Sequence, residues 1–148
     1  MDRKNFIKTC GFACVGGAAM AALMQSCSSI KILSGKIIAD DLMVPISDFE
    51  TTNGNTTYYK KYVVVQNDIL QYPICIYRFN EKEYKALWMR CTHQGTELQV
   101  FGDKLQCPAH ASEFDNKGIV QNGPADTKLR TFPVIVEKDK LKISLKAV

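Results

Sequence analysis

The 148-residue chain is long enough for one domain and short for two. Hydrophobic residues make up 46% of it and charged residues 23%, which supports a packed core and excludes a disordered chain. The net charge of +4 is mild, and no long Lys/Arg tract interleaves with aromatics, so no nucleic acid is expected as a partner.

The first elements are those of an export signal. Met1 to Lys8 carries Arg3, Lys4 and Lys8 against Asp2, and Thr9 to Ile30 has no charge. A basic start, an apolar middle and small residues before Cys27 follow the order of a signal peptide over residues 1–26, with a polar linker over 27–34. Asp2-Arg-Lys-Asn-Phe-Ile-Lys8 resembles the twin-arginine export motif, with Lys4 at the second arginine. Leu23-Met-Gln-Ser-Cys27 resembles a bacterial lipobox, which implies lipidation at Cys27. Lipidation stands ahead of plain cleavage and of a retained anchor, which would need about 20 apolar residues to span a bilayer. All three place residues 35–148 outside the cytoplasm, in the periplasm or on the outer face of a bacterial membrane, held there by lipidated Cys27 or the retained signal.

The remaining elements predict an all-β domain. Lys36 to Ala39 and Leu42 to Ile46 are short strand candidates, and Ser47 to Thr57 reads as a polar loop around Asn53-Gly54. Lys61 to Gln66 and Ile74 to Phe79 are β-branched and aromatic runs of strand length, and Tyr84 to Arg90 leads directly into Cys91. Cys75, within an apolar run, reads as a buried free thiol, and Trp88 as a core residue. Phe132 to Glu137 and Leu141 to Leu145 form a closing hairpin, with Leu141, Ile143 and Leu145 inward and Lys140, Lys142 and Lys146 outward.

Both histidines of the chain stand beside cysteines: Cys91-Thr-His93, then thirteen residues, then Cys107-Pro-Ala-His110. Thiolate and imidazole suit zinc, copper or iron–sulfur. Val100 to Leu105, with Gly102-Asp103 as its turn, reads as a hairpin that brings the two Cys/His pairs together. One alternative is a structural zinc site, or a cluster-free module of the same fold. Zinc fingers, however, pair Cys with Cys and His with His along the chain, whereas here each loop offers one of each.

The sequence resembles the Rieske 2Fe–2S family, in which C-x-H and C-x-x-H lie on two facing loops and two histidines replace two cysteines on one iron. Cys91-Thr-His93-Gln-Gly95 and Cys107-Pro-Ala-His110-Ala-Ser112-Glu-Phe114-Asp115 carry the likeness. It continues through Gly118 to Gly123-Pro124-Ala125, which is similar to the family's proline loop. The resemblance implies an antiparallel β-sandwich with a small cluster-binding subdomain over about residues 90–125. It implies one 2Fe–2S cluster per chain, with Cys91 and Cys107 on the inner iron and His93 and His110 on the outer. Around them it implies supporting roles for Gln94, Gly95, Ser112, Phe114, Gly123 and Pro124.

Thr96 and Ala109 stand where the respiratory members carry a disulfide. Ser112 matches a serine whose hydroxyl bonds a cluster sulfur, or serves as a turn residue bonding nearby backbone, while Phe114 replaces a hydroxyl-bearing tyrosine. These departures imply a low-to-intermediate potential within the family's range of about −150 to +300 mV. With both histidines taken by the cluster, none is left for the two-histidine iron site of the Rieske oxygenases. The expected function is therefore one-electron transfer, as a carrier or small oxidoreductase subunit without a catalytic site of its own, docking a redox protein at the His93 and His110 loops.

Overall fold

A computed structural model describes residues 30–146, so Cys10, Cys14, Cys27 and the expected signal lie outside the described residues. The strands are β1 (Ile32–Ser34), β2 (Lys36–Ile38), β3 (Asp41–Pro45), β4 (Glu50–Asn53), β5 (Thr56–Tyr59), β6 (Tyr62–Gln66), β7 (Ile74–Arg78), β8 (Tyr84–Trp88), β9 (Gln99–Phe101), β10 (Lys104–Gln106), β11 (Glu113–Asp115), β12 (Val120–Asn122), β13 (Thr131–Phe132), β14 (Val134–Val136) and β15 (Lys140–Ser144). A one-turn 3-10 helix, Ile46–Phe49, separates β3 from β4. Among the described residues no helix is long and apolar enough to cross a membrane.

A central sheet, in the order β1-β6-β7-β8-β13, organises the domain. Its core strands are nearly continuous apolar runs because both of its faces are buried. Side chains alternate between faces, and the two cores divide accordingly. Val63, Val65, Ile74, Ile76, Tyr84 and Ala86 join one core with Leu42, Val44, Leu141 and Ile143 of the sheet β14-β15-β3-β2. Val64, Cys75, Tyr77, Leu87 and Met89 join the other, with Val100, Leu105 and Phe114 of the small sheet β12-β11-β10-β9. Cys91 and Cys107 belong to this second core, so the candidate centre grows out of packed interior.

The fold class matches the expectation, and the hairpin of β14 with β15 sets Leu141 and Ile143 fully inside. Three local features differ from it. The stretch Ser47 to Thr57 is not simply loop: it holds the 3-10 turn and the hairpin of β4 with β5, whose strands are exposed throughout and so lack the apolar periodicity that marks a strand. Strand β1 lies within the stretch expected to be linker, and it pairs with β6 in parallel, a departure from a purely antiparallel sandwich. Trp88 packs against the first core but is only half-buried: Tyr72 meets it edge-on at 5.4 Å, and the guanidinium carbons of Arg90 and Arg130 lie 5.6 and 5.5 Å from its ring centre.

Candidate metal centre

Two loops leave the second core, one after β8 and one after β10, and they share one backbone pattern. In the first, Gly95 N–H donates to Cys91 O at 2.9 Å and Cys91 N–H to Thr96 O at 2.8 Å. In the second, Ala111 N–H donates to Cys107 O at 2.9 Å and Cys107 N–H to Ser112 O at 2.8 Å. Each loop thus begins on a cysteine and closes four and five residues later. The fourth residue after the cysteine has positive φ in both, 76° at Gly95 and 59° at Ala111. Glycine suits the first position; a Cβ there would also meet the Arg90 guanidinium at 3.2 Å.

The hairpin of β9 with β10 joins the loops, pairing Leu105 with Val100 and Gln106 with Gln99, and its turn falls at Gly102-Asp103 as expected. Strand β10 pairs in turn with β11, so both loops hang from one small sheet. Gly118 packs beneath the sheet, where a Cβ would lie 3.0 Å from Leu87 Cδ2 and the φ of 84° again suits glycine.

The four donor side chains sort by depth. Cys91 and Cys107 are free thiols, 1% and 2% exposed, whereas His93 and His110 are exposed at the loop tips with ring centres 5.1 Å apart, edge to face. Burial pushes the Cys107 thiol up, but hydrogen bonds from the backbone N–H groups of His110 and Ala109 and from the side chains of Cys91 and Thr96 outweigh it and hold the thiol below its ordinary value. Among the described residues no three His, Cys, Asp or Glu side chains gather around one point. The donors thus fall into a buried thiol pair and an exposed imidazole pair.

The expected supporting residues surround the loops. Ser112 is fully buried, and its Oγ accepts a hydrogen bond from Ala125 N–H at 3.0 Å. This ties the second loop to the Gly123-Pro124-Ala125 segment, in which the Gly123–Pro124 peptide is cis, Gly123 and Pro124 are exposed and Ala125 is buried. Among the described residues the Ser112 hydroxyl donates to no protein acceptor. Phe114 is fully buried, Gln94 is exposed, and Ala109 is exposed where a disulfide partner would stand. Two ties were not read from the sequence. Thr92 Oγ donates to Thr127 O at 2.6 Å, binding the first loop to the approach of β13. Thr96, read only as a missing cysteine, is among the groups that hold the Cys107 thiol below its ordinary value. Threonine is common in loops, so neither position carries a signal of its own.

Comparison with known proteins agrees with this construction. The Rieske [2Fe-2S] domain matches residues 51–133. The chain is 38% identical over 56 residues to the cytochrome b6-f complex iron-sulfur subunit 2 of Nostoc sp., a stretch covering 36% of this chain and 32% of that protein. It therefore spans about a third of that relative's length. The cytochrome b6-f complex iron-sulfur subunit of Cyanothece sp. is 26% identical, with 95% of this chain and 83% of that one covered. Among solved structures, the cyanobacterial plasma membrane Rieske protein PetC3 from Synechocystis PCC 6803 superimposes with a TM-score of 0.50 at 25% identity, covering 57% of this chain and 86% of that one. The chain belongs to the Rieske [2Fe-2S] domain family, and its cofactor is a Rieske-type 2Fe–2S cluster.

Proposed function

We propose that this protein is a one-electron carrier, free or as a small oxidoreductase subunit, with Cys91 and Cys107 holding the inner iron and His93 and His110 the outer. The observation that carries the reading is the division of donors by depth: thiols inside the second core, imidazoles at the exposed tips. The cluster, when bound, accepts and releases one electron. The protein's part is to keep the thiolates away from water and partners, and to present only the imidazole edges. Each histidine would offer one ring nitrogen to iron and leave the other facing solvent. Two neutral imidazoles in place of two thiolates leave less negative charge at the centre, which favours reduction. Reduction of the reconstituted protein should give a Rieske-type electron paramagnetic resonance signal, and its absence rejects the carrier in favour of a zinc-bound or cluster-free module.

The docking face for a redox protein is then the exposed tip formed by His93, Gln94, Pro108, Ala109, His110, Gly123 and Pro124. The named relatives are subunits of a cytochrome b6-f complex and a plasma membrane Rieske protein, which supports membrane association. For this chain the reading is export by the signal over residues 1–26 and anchoring through lipidated Cys27. Export of already folded protein suits a cofactor that is inserted before translocation. Replacing Arg3 by Lys together with Lys4 by Gln should retain the protein in the cell, and Cys27→Ser should release the exported protein from the membrane. Normal export of the double variant would favour the general secretory route.

A further inference from the structure

Tyr58-Tyr-Lys-Lys-Tyr62 is the one stretch in which aromatics and lysines alternate closely, and the electron-transfer reading gives it no task. It runs from β5 into β6. Tyr58 and Tyr59 are 57% and 47% exposed, on a hairpin with no buried side chain. Such a hairpin gains little from burial, and a two-stranded ribbon alone is marginal in water. Behind its end lies a cleft of about 380 Å³, lined by Tyr59, Lys60, Lys61, Arg78 and Phe79, with Asp103 from the turn between β9 and β10.

Three cations face one carboxylate here, and among the described residues Asp103 makes no ion pair with any of them. Lys60 Nζ reaches only a backbone carbonyl, Asp48 O, at 3.0 Å. The Arg78 guanidinium lies 4.2 Å over the Tyr59 ring. Its Nε is buried with no hydrogen-bond partner. Arginine's planar fork suits phosphate, and the aromatic face holds it ready. The excess of positive charge matches a phosphate group better than a single carboxylate.

We propose that this cleft is a phosphate-binding site, in which the cationic groups of Arg78, Lys60 and Lys61 face the phosphate and neutralise its charge. The site is built from the ends of β5 and β7 and the start of β6, and uses none of the Cys/His loops, so it stands or falls separately from the electron-transfer reading. The phosphate belongs either to a free ion or to an anionic lipid headgroup, for which exposed tyrosines beside lysines are suitable neighbours at a membrane interface.

The full-length holoprotein in detergent should be titrated calorimetrically, at matched ionic strength, with inorganic phosphate, short-chain phosphatidylglycerol below its micelle concentration, and chloride as the blank. Binding of either phosphate compound, weakened at least tenfold by Arg78→Gln and by Lys61→Gln, supports the site. Binding of both names free phosphate as sufficient, and binding of the lipid alone names the headgroup. Lys61 is exposed, so its variant keeps the test decisive should Arg78→Gln fail to fold. Lys138→Gln, outside the cleft lining, should bind as the parent does. No binding of either compound, or binding unchanged in Lys61→Gln, overturns the proposal.

Discussion

Replacing Ser112 by alanine tests the join between the second Cys/His loop and the Gly123-Pro124-Ala125 segment. Ser112 Oγ is fully buried and accepts the Ala125 N–H at 3.0 Å, with Ala125 itself only 4% exposed. Alanine removes the acceptor and is too small to admit much water in compensation. The Ala125 N–H is then left buried and unsatisfied, which costs about 1–3 kcal/mol. For a domain of this size each kcal/mol lowers Tm by about 4 °C, so a fall of about 4–12 °C is expected. Amide exchange at Ala125 should accelerate in the same variant. The hydroxyl proton gives a second, separate readout. Because no protein acceptor takes it among the described residues, it is free to donate toward a cluster sulfur, and its loss should lower the midpoint potential. An unchanged Tm and unchanged exchange at Ala125 would refute the structural tie. A lower Tm with an unchanged potential would leave Ser112 as a loop fastener only.

Phe114→Tyr adds the hydroxyl that the family resemblance implies at this position and should raise the midpoint potential in a redox titration; no change would mean that the ring edge points away from the centre. Gly95→Val puts a β-branched residue at φ 76° and drives its Cβ toward Arg90; urea unfolding should show a loss of at least about 1–2 kcal/mol, and an unaffected midpoint would contradict the loop geometry. Burial raises the thiol of Cys75 and the hydroxyl of Tyr77 far above their ordinary values. Their neutral forms therefore contribute stability that is complete below the unfolded pKa, about 8.5 for the thiol and about 10 for the hydroxyl, and that is lost as pH rises beyond it, at about 1.4 kcal/mol per pH unit per group. Urea midpoints measured from pH 8 to 10.5 should fall less steeply in Cys75→Val than in the parent, and equal slopes would refute the assignment.

The sequence displays what repeats and hides what is single. Tyr62–Gln66, Ile74–Arg78 and Tyr84–Trp88 were legible because a strand buried on both faces must be apolar over its whole length. Leu141 and Ile143 were legible because period-2 alternation survives on a half-buried strand. The hairpin of β4 with β5 was not, since an exposed Thr-rich ribbon leaves only its Asn53-Gly54 turn as a signal. Strands β11 and β12 were equally silent, each three residues long with at most one buried side chain. In the centre, the four Cys/His positions stood out by residue type and spacing alone. The bond from Ala125 to Ser112 did not, because it joins residues thirteen apart that meet only after β11 and β12 have paired.

On the proposed ligand assignment, the matching of the two loops would let a single fold element serve two unlike irons. Both loops start on a buried cysteine and close through the same pair of backbone hydrogen bonds, so both thiols leave the core at equivalent points. The loops differ in where the histidine falls, two residues after the cysteine in the first and three in the second. Within a closed loop both offsets lie on the outer arc, before the positive-φ residue turns the chain back. The imidazoles therefore emerge together at the tip, with their rings 5.1 Å apart. Depth is set by the loop pattern and ligand type by the position along it. A substitution that opens either loop, such as one at Gly95, should thus disturb thiol and imidazole together, whereas exchange of a histidine alone should spare the backbone and change only the iron that the proposed assignment gives to the imidazoles.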